Sequence, residues 1–200
     1  MRRGQLVVDW DGTVTERDSL HMLLERFGDL EVYRAAEEEL GHRLTLNEVI
    51  AVEMRTVRAP YDEVLEWLLA EVRVRPGFAA LVAGHDTVVV SAGFHELIEP
   101  VLAREGIEVR VVANRIDPRP EGWEASFTNG LPCEVCGEPC KRAAVRELGG
   151  FAFVGDGVSD RCVALAAARV FARDGLATWL DEQGVPYEPF DDFVDVAARL

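Results

Sequence analysis

Residues 5–15 read Gln5-Leu6-Val7-Val8-Asp9-Trp10-Asp11-Gly12-Thr13-Val14-Thr15, an apolar run closed by an acid, a second acid two positions on, and a Gly-Thr break. A parallel-sheet strand is covered on both faces, so it reads as a continuous apolar run and stops at polar turn residues. Moving outward, the texture from Ser19 to about Val72 is helical. Leu20, Leu23, Leu24 and Phe27 share one face, with Gly28 as the stop. A second helical stretch covers roughly 29–40 and ends at Gly41. A third sets Leu46, Val49, Ile50, Met54 and Val57 on one face behind a Thr45 cap. The fourth follows Pro60, with Tyr61, Val64, Leu65, Leu68 and Val72.

Beyond Arg75-Pro76-Gly77 the pattern alternates. A helix near 78–83 leads to the strand 87–90, which ends at Ser91-Ala92-Gly93. A helix near 94–105 leads to a strand near 107–112. Residues 115–131, with Pro118, Pro120, Gly122 and Asn129-Gly130, suggest an irregular hairpin over the sheet edge. A helix begins at Lys141, Phe151–Val154 form a strand ending in Gly155-Asp156-Gly157, and a helix–strand–helix series closes the chain. Alternating strands and helices predict an α/β fold, a doubly wound parallel sheet. The expected division is a core of 1–15 and 75–200 with a helical insertion over 16–74.

The 200 residues, 48% hydrophobic and 28% charged, suit one domain with a modest insertion and exclude disorder throughout. No apolar run approaches the roughly 20 residues of a membrane span, so no membrane partner is expected. The start, Met1-Arg2-Arg3-Gly4, runs straight into Leu6-Val7-Val8, too short for a signal-peptide core, so the expected location is cytoplasmic. The net charge of −15, from 36 acids and 21 bases with no basic run longer than two, argues against nucleic acid as a partner. A monomer or homodimer is the expected state. Three of the four cysteines, Cys133, Cys136 and Cys140, fall within eight residues, which fits a reduced compartment better than a disulfide framework. The four histidines form no HxxxH or HxH pair, so imidazole-based metal catalysis has no support.

In a doubly wound sheet the crevice lies beyond the carboxyl ends of the strands. Three strands end there in Asp9 and Asp11, in Ser91, and in Asp156. Converging carboxylates repel one another unless a hard cation joins them, and Mg²⁺ takes few carboxylates together with water and phosphate oxygens. Ser91, the amides after it and Lys141 at a helix start can hold an anion. An anion pocket beside a metal points to phosphoryl chemistry.

At this point the residues resemble a known family. Asp9-Trp10-Asp11-Gly12-Thr13-Val14-Thr15 is similar to the DxDGT signature of the haloacid dehalogenase superfamily. Ser91-Ala92-Gly93, Lys141 and Gly155-Asp156-Gly157-Val158-Ser159-Asp160 look like its second, third and fourth motifs, in the right order. Each alone is weak, since such triplets are common turn material; the ordered set is specific, and it spans essentially the whole chain. The resemblance implies a haloacid-dehalogenase-like α/β core with the 16–74 block as a four-helix cap. Asp9 would be a nucleophile forming an aspartyl-phosphate, and Asp11 the acid that protonates the leaving oxygen and later activates water. Asp9, the Asp11 carbonyl and Asp156 would hold Mg²⁺ with Asp160 in support, while Ser91 and Lys141 hold the phosphoryl group. Thr13, Ala92, Gly93 and Ser159 complete the substrate contacts that it implies. A small phosphorylated metabolite is the expected substrate, and alternatives are phosphoryl transfer to another acceptor or a non-catalytic binding module on the same fold.

Within the superfamily the chain resembles the phosphoserine-phosphatase subgroup. Arg75-Pro76-Gly77-Phe78, Val170-Phe171-Ala172-Arg173-Asp174 and Tyr187-Glu188-Pro189-Phe190 are closer to the methionine-salvage enol-phosphate phosphatases. The Cys133-x-x-Cys136-x-x-x-Cys140-Lys141 run also resembles the phosphoethanolamine/phosphocholine phosphatases. Asp18 stands where phosphoserine phosphatase places a Glu against the substrate ammonium; it reads equally as the N-cap of the first helix. Motif two reads Ser-Ala-Gly rather than Ser-Gly-Gly. Both departures weigh against phosphoserine. Arg17, Arg34, Arg43, Arg55 and Arg58 are candidates to close over the leaving group, or solvated helix faces. Cys133, Cys136 and Cys140, with Cys162 as a fourth ligand, have the spacing of a structural zinc site stiffening the loop before Lys141; three free thiols packed under a loop is the other reading.

Overall fold

The computed structural model describes residues 5–127 and 132–200; Met1–Gly4 and the Asn129-Gly130 turn signal lie outside them. Among the described residues seven strands form one sheet in the order β4-β3-β2-β1-β5-β6-β7, parallel except for β4. They are β1 (Gln5–Val8), β2 (Thr87–Phe94), β3 (Arg110–Asp117), β4 (Glu124–Ser126), β5 (Phe151–Gly155), β6 (Arg169–Ala172) and β7 (Glu188–Pro189). Val7 and Val8 of β1 pair with Val88 and Val89 of β2 on one side, and with Phe153 and Val154 of β5 on the other. The decisive strand is therefore central, and its carboxyl end is where the order of strands reverses.

Because β1, β2 and β5 are covered on both faces, both sets of alternating side chains are apolar. Leu6, Val8 and Val89 join one buried cluster, and Val7, Val88, Val90 and Phe153 the other. Each such side chain contributes about 2 kcal/mol by leaving water.

Four helices lie between β1 and β2: α1 (Ser19–Phe27), α2 (Leu30–Glu39), α3 (Leu46–Met54) and α4 (Tyr61–Glu71). The side chain of Asp18 caps α1, Asp29 caps α2, and Thr45 with Glu48 makes a reciprocal capping box on α3. Their apolar faces, including Leu23, Leu24, Ile50, Met54 and Leu68, share one buried cluster with the near face of the sheet. The block leaves and re-enters the sheet through adjacent backbone: Glu16 donates to the Arg73 carbonyl at 3.0 Å, and Arg75 to that of Val14 at 2.7 Å. The remaining helices are α5 (Phe78–Gly84), α6 (His95–Arg104), α7 (Lys141–Ala144), α8 (Arg161–Ala164), α9 (Asp174–Gln183) and α10 (Phe193–Arg199).

Two strands differ from the sequence reading. β2 continues past Val90 to Phe94, and β3 runs over 110–117 rather than 107–112. The two pair up to Val90 with Val112 and again, past an irregularity, at Phe94 with Asn114. Pairing with a neighbour thus carries β2 through Ser91-Ala92-Gly93, where the apolar pattern breaks. The irregular hairpin is present as β3 and β4, which pair antiparallel through Ile116 and Ala125.

Candidate active site

Immediately after β1 the chain makes a wide turn over Trp10–Val14, closed by the Thr15 amide on the Trp10 carbonyl at 3.0 Å. Gly12 sits at φ +72°, and a Cβ there would collide with an Asp156 carboxylate oxygen. Glycine is needed on both counts: the left-handed backbone and the close approach of the two loops. Gly155 meets a similar demand for space, since its Cβ would collide with the Asp160 carboxylate.

The turn delivers Asp9 into a buried position, 4% exposed. Asp9 Oδ1 accepts from the Trp10 amide at 2.6 Å and pairs with Lys141 Nζ at 2.5 Å. Lys141, also buried, donates to Asp160 Oδ1 at 2.7 Å, and Asp160 Oδ2 accepts from the amides of Asp156 (2.9 Å) and Gly157 (3.0 Å). Asp160 thus ties the Lys141 ammonium to the loop after β5. Asp156 Oδ1 accepts from the Thr13 hydroxyl at 2.6 Å. Thr13 is fully buried, with its hydroxyl on that carboxylate. Ser91 Oγ accepts from the Gly93 amide at 2.8 Å, and Asn114 Nδ2 donates to the Ala92 carbonyl at 2.7 Å.

Asp11 points a different way. Its Oδ1 accepts from the Ser19 hydroxyl at 2.5 Å and from the amides of Ser19 and Leu20 at 3.0 and 3.3 Å. Its Oδ2 faces Gly93, where a Cβ would sit 3.0 Å away. Burial and the neighbouring Asp18 carboxylate bring the pKa of Asp11 up to about 7. Burial, then Asp160, raises Asp9 well above the usual carboxylate range and Asp156 to about 6. Burial opposes the charge of Lys141, but Asp160 and Asp9 outweigh it and raise its pKa.

Carboxylate oxygens of Asp9, Asp156 and Asp160 all lie within 4.8 Å of one another. Among the described residues the ion pairs to this group come from Lys141, on Asp9 and Asp160. Hard oxygen donors in negative excess at this spacing fit a small divalent cation such as Mg²⁺.

These groups open into a cavity of about 210 Å³ whose far wall, from the helical block, carries Asp18, Tyr33, Glu37 and Glu53. It adjoins a second of about 430 Å³ that reaches Ser91, Ser159, Lys141, Arg161, Cys136 and Cys140. Asp18 both caps α1, accepting from the His21 amide at 2.7 Å, and lines the smaller cavity. The five arginines considered as closing groups line neither cavity; Arg17 and Arg43 pair instead with Glu25 and Glu39.

Four residues at the site escaped the sequence reading. Ser19 fixes Asp11 from a helix start. Arg75 donates through its guanidinium to the carbonyls of Gly12, Thr13, Thr15 and Glu16, locking the turn that presents Asp9 and Asp11. Glu53 is 3% exposed with its Oε1 unpartnered among the described residues, and burial, then Glu37 and Asp18, lifts its pKa to about 8. Arg161 lines the larger cavity with a buried Nε that has no partner among the described residues, its guanidinium 5.4 Å from the Trp179 ring centre. Of these, Arg75 alone carried a signal, standing in the Arg-Pro-Gly-Phe stretch.

The chain matches the family model for haloacid dehalogenase-like hydrolases over residues 6–165. It is 29% identical to a 2-hydroxy-3-keto-5-methylthiopentenyl-1-phosphate phosphatase of Geobacillus thermodenitrificans, covering 98% of this chain and 94% of that protein. A Bacillus mycoides protein of the same name is 26% identical, covering 98% and 95%. Among solved structures, a substrate-bound phosphoserine phosphatase complex superposes with a TM-score of 0.73 at 14% identity, covering 100% of this chain and 99% of that one. A phosphoserine phosphatase from T. onnurineus gives a TM-score of 0.71 at 17% identity, covering 98% and 92%. At these identities the structures show a shared fold.

Proposed function

The chain belongs to the haloacid dehalogenase-like hydrolase family, and from that premise we propose a Mg²⁺-dependent phosphomonoesterase working through an aspartyl-phosphate on Asp9. The enzyme is a phosphatase acting on a small phosphorylated metabolite. The observation that carries the mechanism is the pair Asp9 and Asp11. One carboxylate is pinned by an ammonium at a strand end, and the other, two residues on, has a pKa near neutrality.

Among the described residues both hydrogen-bond partners of Asp9 meet Oδ1, so Oδ2 is the oxygen that attacks phosphorus. As the bond to the leaving oxygen breaks, protonated Asp11 gives that oxygen its proton. Asp11 then takes a proton from water, which attacks phosphorus, frees phosphate and restores Asp9. Ser91 and Lys141 hold the transferring oxygens. Asp9, Asp156 and the Asp11 carbonyl, with Asp160 in support, would hold Mg²⁺, which when bound offsets charge on the phosphoryl oxygens.

The block 16–74 serves as a cap over this chemistry. Its α4 side is fastened to the core: Tyr61 donates to the Glu96 carbonyl at 2.8 Å, and Trp123 Nε1 to that of Ala59 at 3.1 Å. Residues of α2 and α3 line the cavities and are the part that admits substrate.

Asp18, Glu37 and Glu53 make the leaving-group wall acidic, and among the described residues no Lys or Arg lines the smaller cavity. A leaving-group carboxylate, as in phosphoserine, finds no Lys or Arg on this wall among the described residues, although the ammonium beside it would be accepted there. The full-length relatives favour the methionine-salvage enol phosphate, whose neutral hydroxyl and carbonyl groups suit a protonated Glu53. The acid wall also suits a cationic leaving group, which makes phosphoethanolamine or phosphocholine the second reading.

Phosphate release from these four esters, with Mg²⁺ and with EDTA, for wild type and Asp9→Asn, tests the proposal. Metal-dependent release that Asp9→Asn abolishes supports it, and the preferred ester identifies the substrate branch. An active Asp9→Asn variant removes the nucleophile.

A further inference from the structure

The four cysteines take no part in this phosphoryl chemistry, yet the fold brings them together. Cys133, Cys136 and Cys140 precede α7, Cys162 lies on α8, and all four sulfurs fall within 4.8 Å of one another. All four thiols are free. The sulfurs of Cys133 and Cys162 are 3.8 Å apart, well beyond the roughly 2.05 Å of a disulfide. A tetrahedral zinc ion with Zn–S bonds of about 2.3 Å holds its sulfurs about 3.8 Å from each other. The separation is that of two corners of such a tetrahedron.

The backbone around the cluster is arranged to stabilise thiolates. Cys133-Glu134-Val135-Cys136-Gly137 folds back on itself: the Gly137 amide donates to the Cys133 carbonyl at 2.8 Å, with Gly137 at φ +76°. That turn directs the amides of Cys136 and Val135 to the Cys133 sulfur, and those of Ala143 and Arg142 to the Cys140 sulfur. Amides donating to ligand sulfurs are the usual outer support of a metal–thiolate site. Four protein ligands leave no open position, so the site is structural.

We propose that Cys133, Cys136, Cys140 and Cys162 form a tetrathiolate zinc site that clamps the segment carrying Lys141 to the segment carrying Asp160. Cys140 is the residue before Lys141, and Cys162 stands two after Asp160. One ion therefore fixes both ends of the 2.7 Å Lys141–Asp160 pair. The residues between Pro132 and Cys140 have no regular secondary structure, and Cys136 and Cys140 form part of the wall of the larger cavity. Zinc supplies the rigidity that hydrogen-bonded secondary structure supplies elsewhere. Its binding displaces the thiol protons to solvent.

The test is metal analysis of the full chain purified without added zinc. The expected result is one zinc per chain, retained through dialysis, with thiols that resist a thiol reagent until a mercurial or denaturant releases the metal. Exchange of Co²⁺ into the wild-type protein should give the intense sulfur-to-metal charge-transfer and visible bands of a tetrahedral thiolate site. Cys162→Ser should weaken them, while Asp9→Asn leaves both the zinc content and the cobalt spectrum unchanged. Zinc-free native protein whose four thiols react at once, and which takes up Co²⁺ without charge-transfer bands, would falsify the site. Since these readouts are independent of phosphate release, the zinc site and the phosphatase mechanism can fail separately.

Discussion

Two clusters of like groups flank Lys141, the carboxylates beyond β1 and β5 and the thiols around α7 and α8, and they are built on opposite principles. The carboxylates are the more deeply buried, with Asp9 at 4% and Asp160 at 0% exposure, yet Asp9 and Asp156 face a cavity. The thiols surround one another and include the exposed Cys136. Burial and Asp160 raise Asp9, and burial brings Cys140 up to about 11, whereas at Cys133 burial is outweighed by the amides of Cys136 and Val135, which bring it down to about 7. The carboxylates are hard donors already sharing their oxygens with an ammonium, a hydroxyl and amides, so a cation there keeps room for phosphate oxygens. The thiols are soft donors that, in the zinc site proposed above, would complete a tetrahedron and exclude any further ligand. On the proposed reading the first cluster, open, performs chemistry at a cost to stability, and the second, closed, restores stability without chemistry. Lys141 belongs to both, paired to Asp9 and Asp160 and adjacent in sequence to Cys140.

The sharpest way to break that division is Asp9→Asn. Phosphate release should fall by about 10⁴-fold or more, as removal of a covalent nucleophile does. Thermal melting in EDTA should be unchanged or slightly higher, because one of several crowded charges is gone. A variant that loses stability together with activity would show that Asp9 holds the fold as much as it serves the reaction. Lys141→Met should act on both sides of the comparison. Activity drops about 10²- to 10³-fold with the loss of a phosphoryl-holding cation. The fold loses about 3–5 kcal/mol, measured by denaturant melts in EDTA, because buried Asp9 and Asp160 are left uncompensated.

The open cluster was far more legible in the sequence than its surroundings. Asp9, Ser91 and Asp156 each follow or close an apolar strand run, so a period and a stop signal were enough to place them at one sheet end. Lys141 was legible from its helix start and from the resemblance, and Cys133, Cys136 and Cys140 from their spacing within a short segment. Ser19, Glu53 and Arg161 could not be read in this way, and Arg75 showed only as part of the Arg-Pro-Gly-Phe stretch. Ser19 reads as an ordinary helix start, and its bond to Asp11 exists because the wide turn folds Asp11 back over α1. Glu53 sits in an amphipathic helix, where a Glu reads as a solvated face; the packing of α3 against α2 turns it inward instead. Thr13, a substrate contact by the resemblance, has a second partner that local pattern does not show, since the close approach at Gly12 brings its hydroxyl onto Asp156. Local pattern shows where a strand stops, and it carries little about which helix face a distant element will cover.

Cys162→Ser tests the closed cluster with a smaller effect. With one ligand of four lost, the fold should lose about 2–4 kcal/mol in denaturant melts, a fraction of the binding energy of a structural zinc. Activity should fall within about 10-fold, since Lys141 keeps its carboxylate partners but loses its clamp. Chelation of the wild-type protein should reproduce the same shift. A larger loss of activity than of stability would mean that the thiols reach the reaction directly.

The smallest expected effect lies on the acid wall, where Glu53→Gln separates a buried acid that is costly from one that is merely structural. Glu53 has a folded pKa of about 8 against an ordinary value of 4.5, raised first by burial and then by Glu37 and Asp18. A raised acid pKa means that the folded state holds its proton longer than the unfolded chain does. The associated stability is complete below pH 4.5 and is lost as pH rises towards 8, where the folded state too must ionise. The amide of the Glu53→Gln variant has no such proton to lose. Melting temperatures of the two proteins, taken without substrate, should therefore diverge in favour of the variant as pH rises through that window. The corresponding difference in stability should be about 1–2 kcal/mol at its largest, because water at the cavity screens part of the repulsion. A pH-independent gap would show that Glu53 titrates normally and that the wall carries its full negative charge at neutral pH. The cationic leaving group would then be favoured over the neutral one.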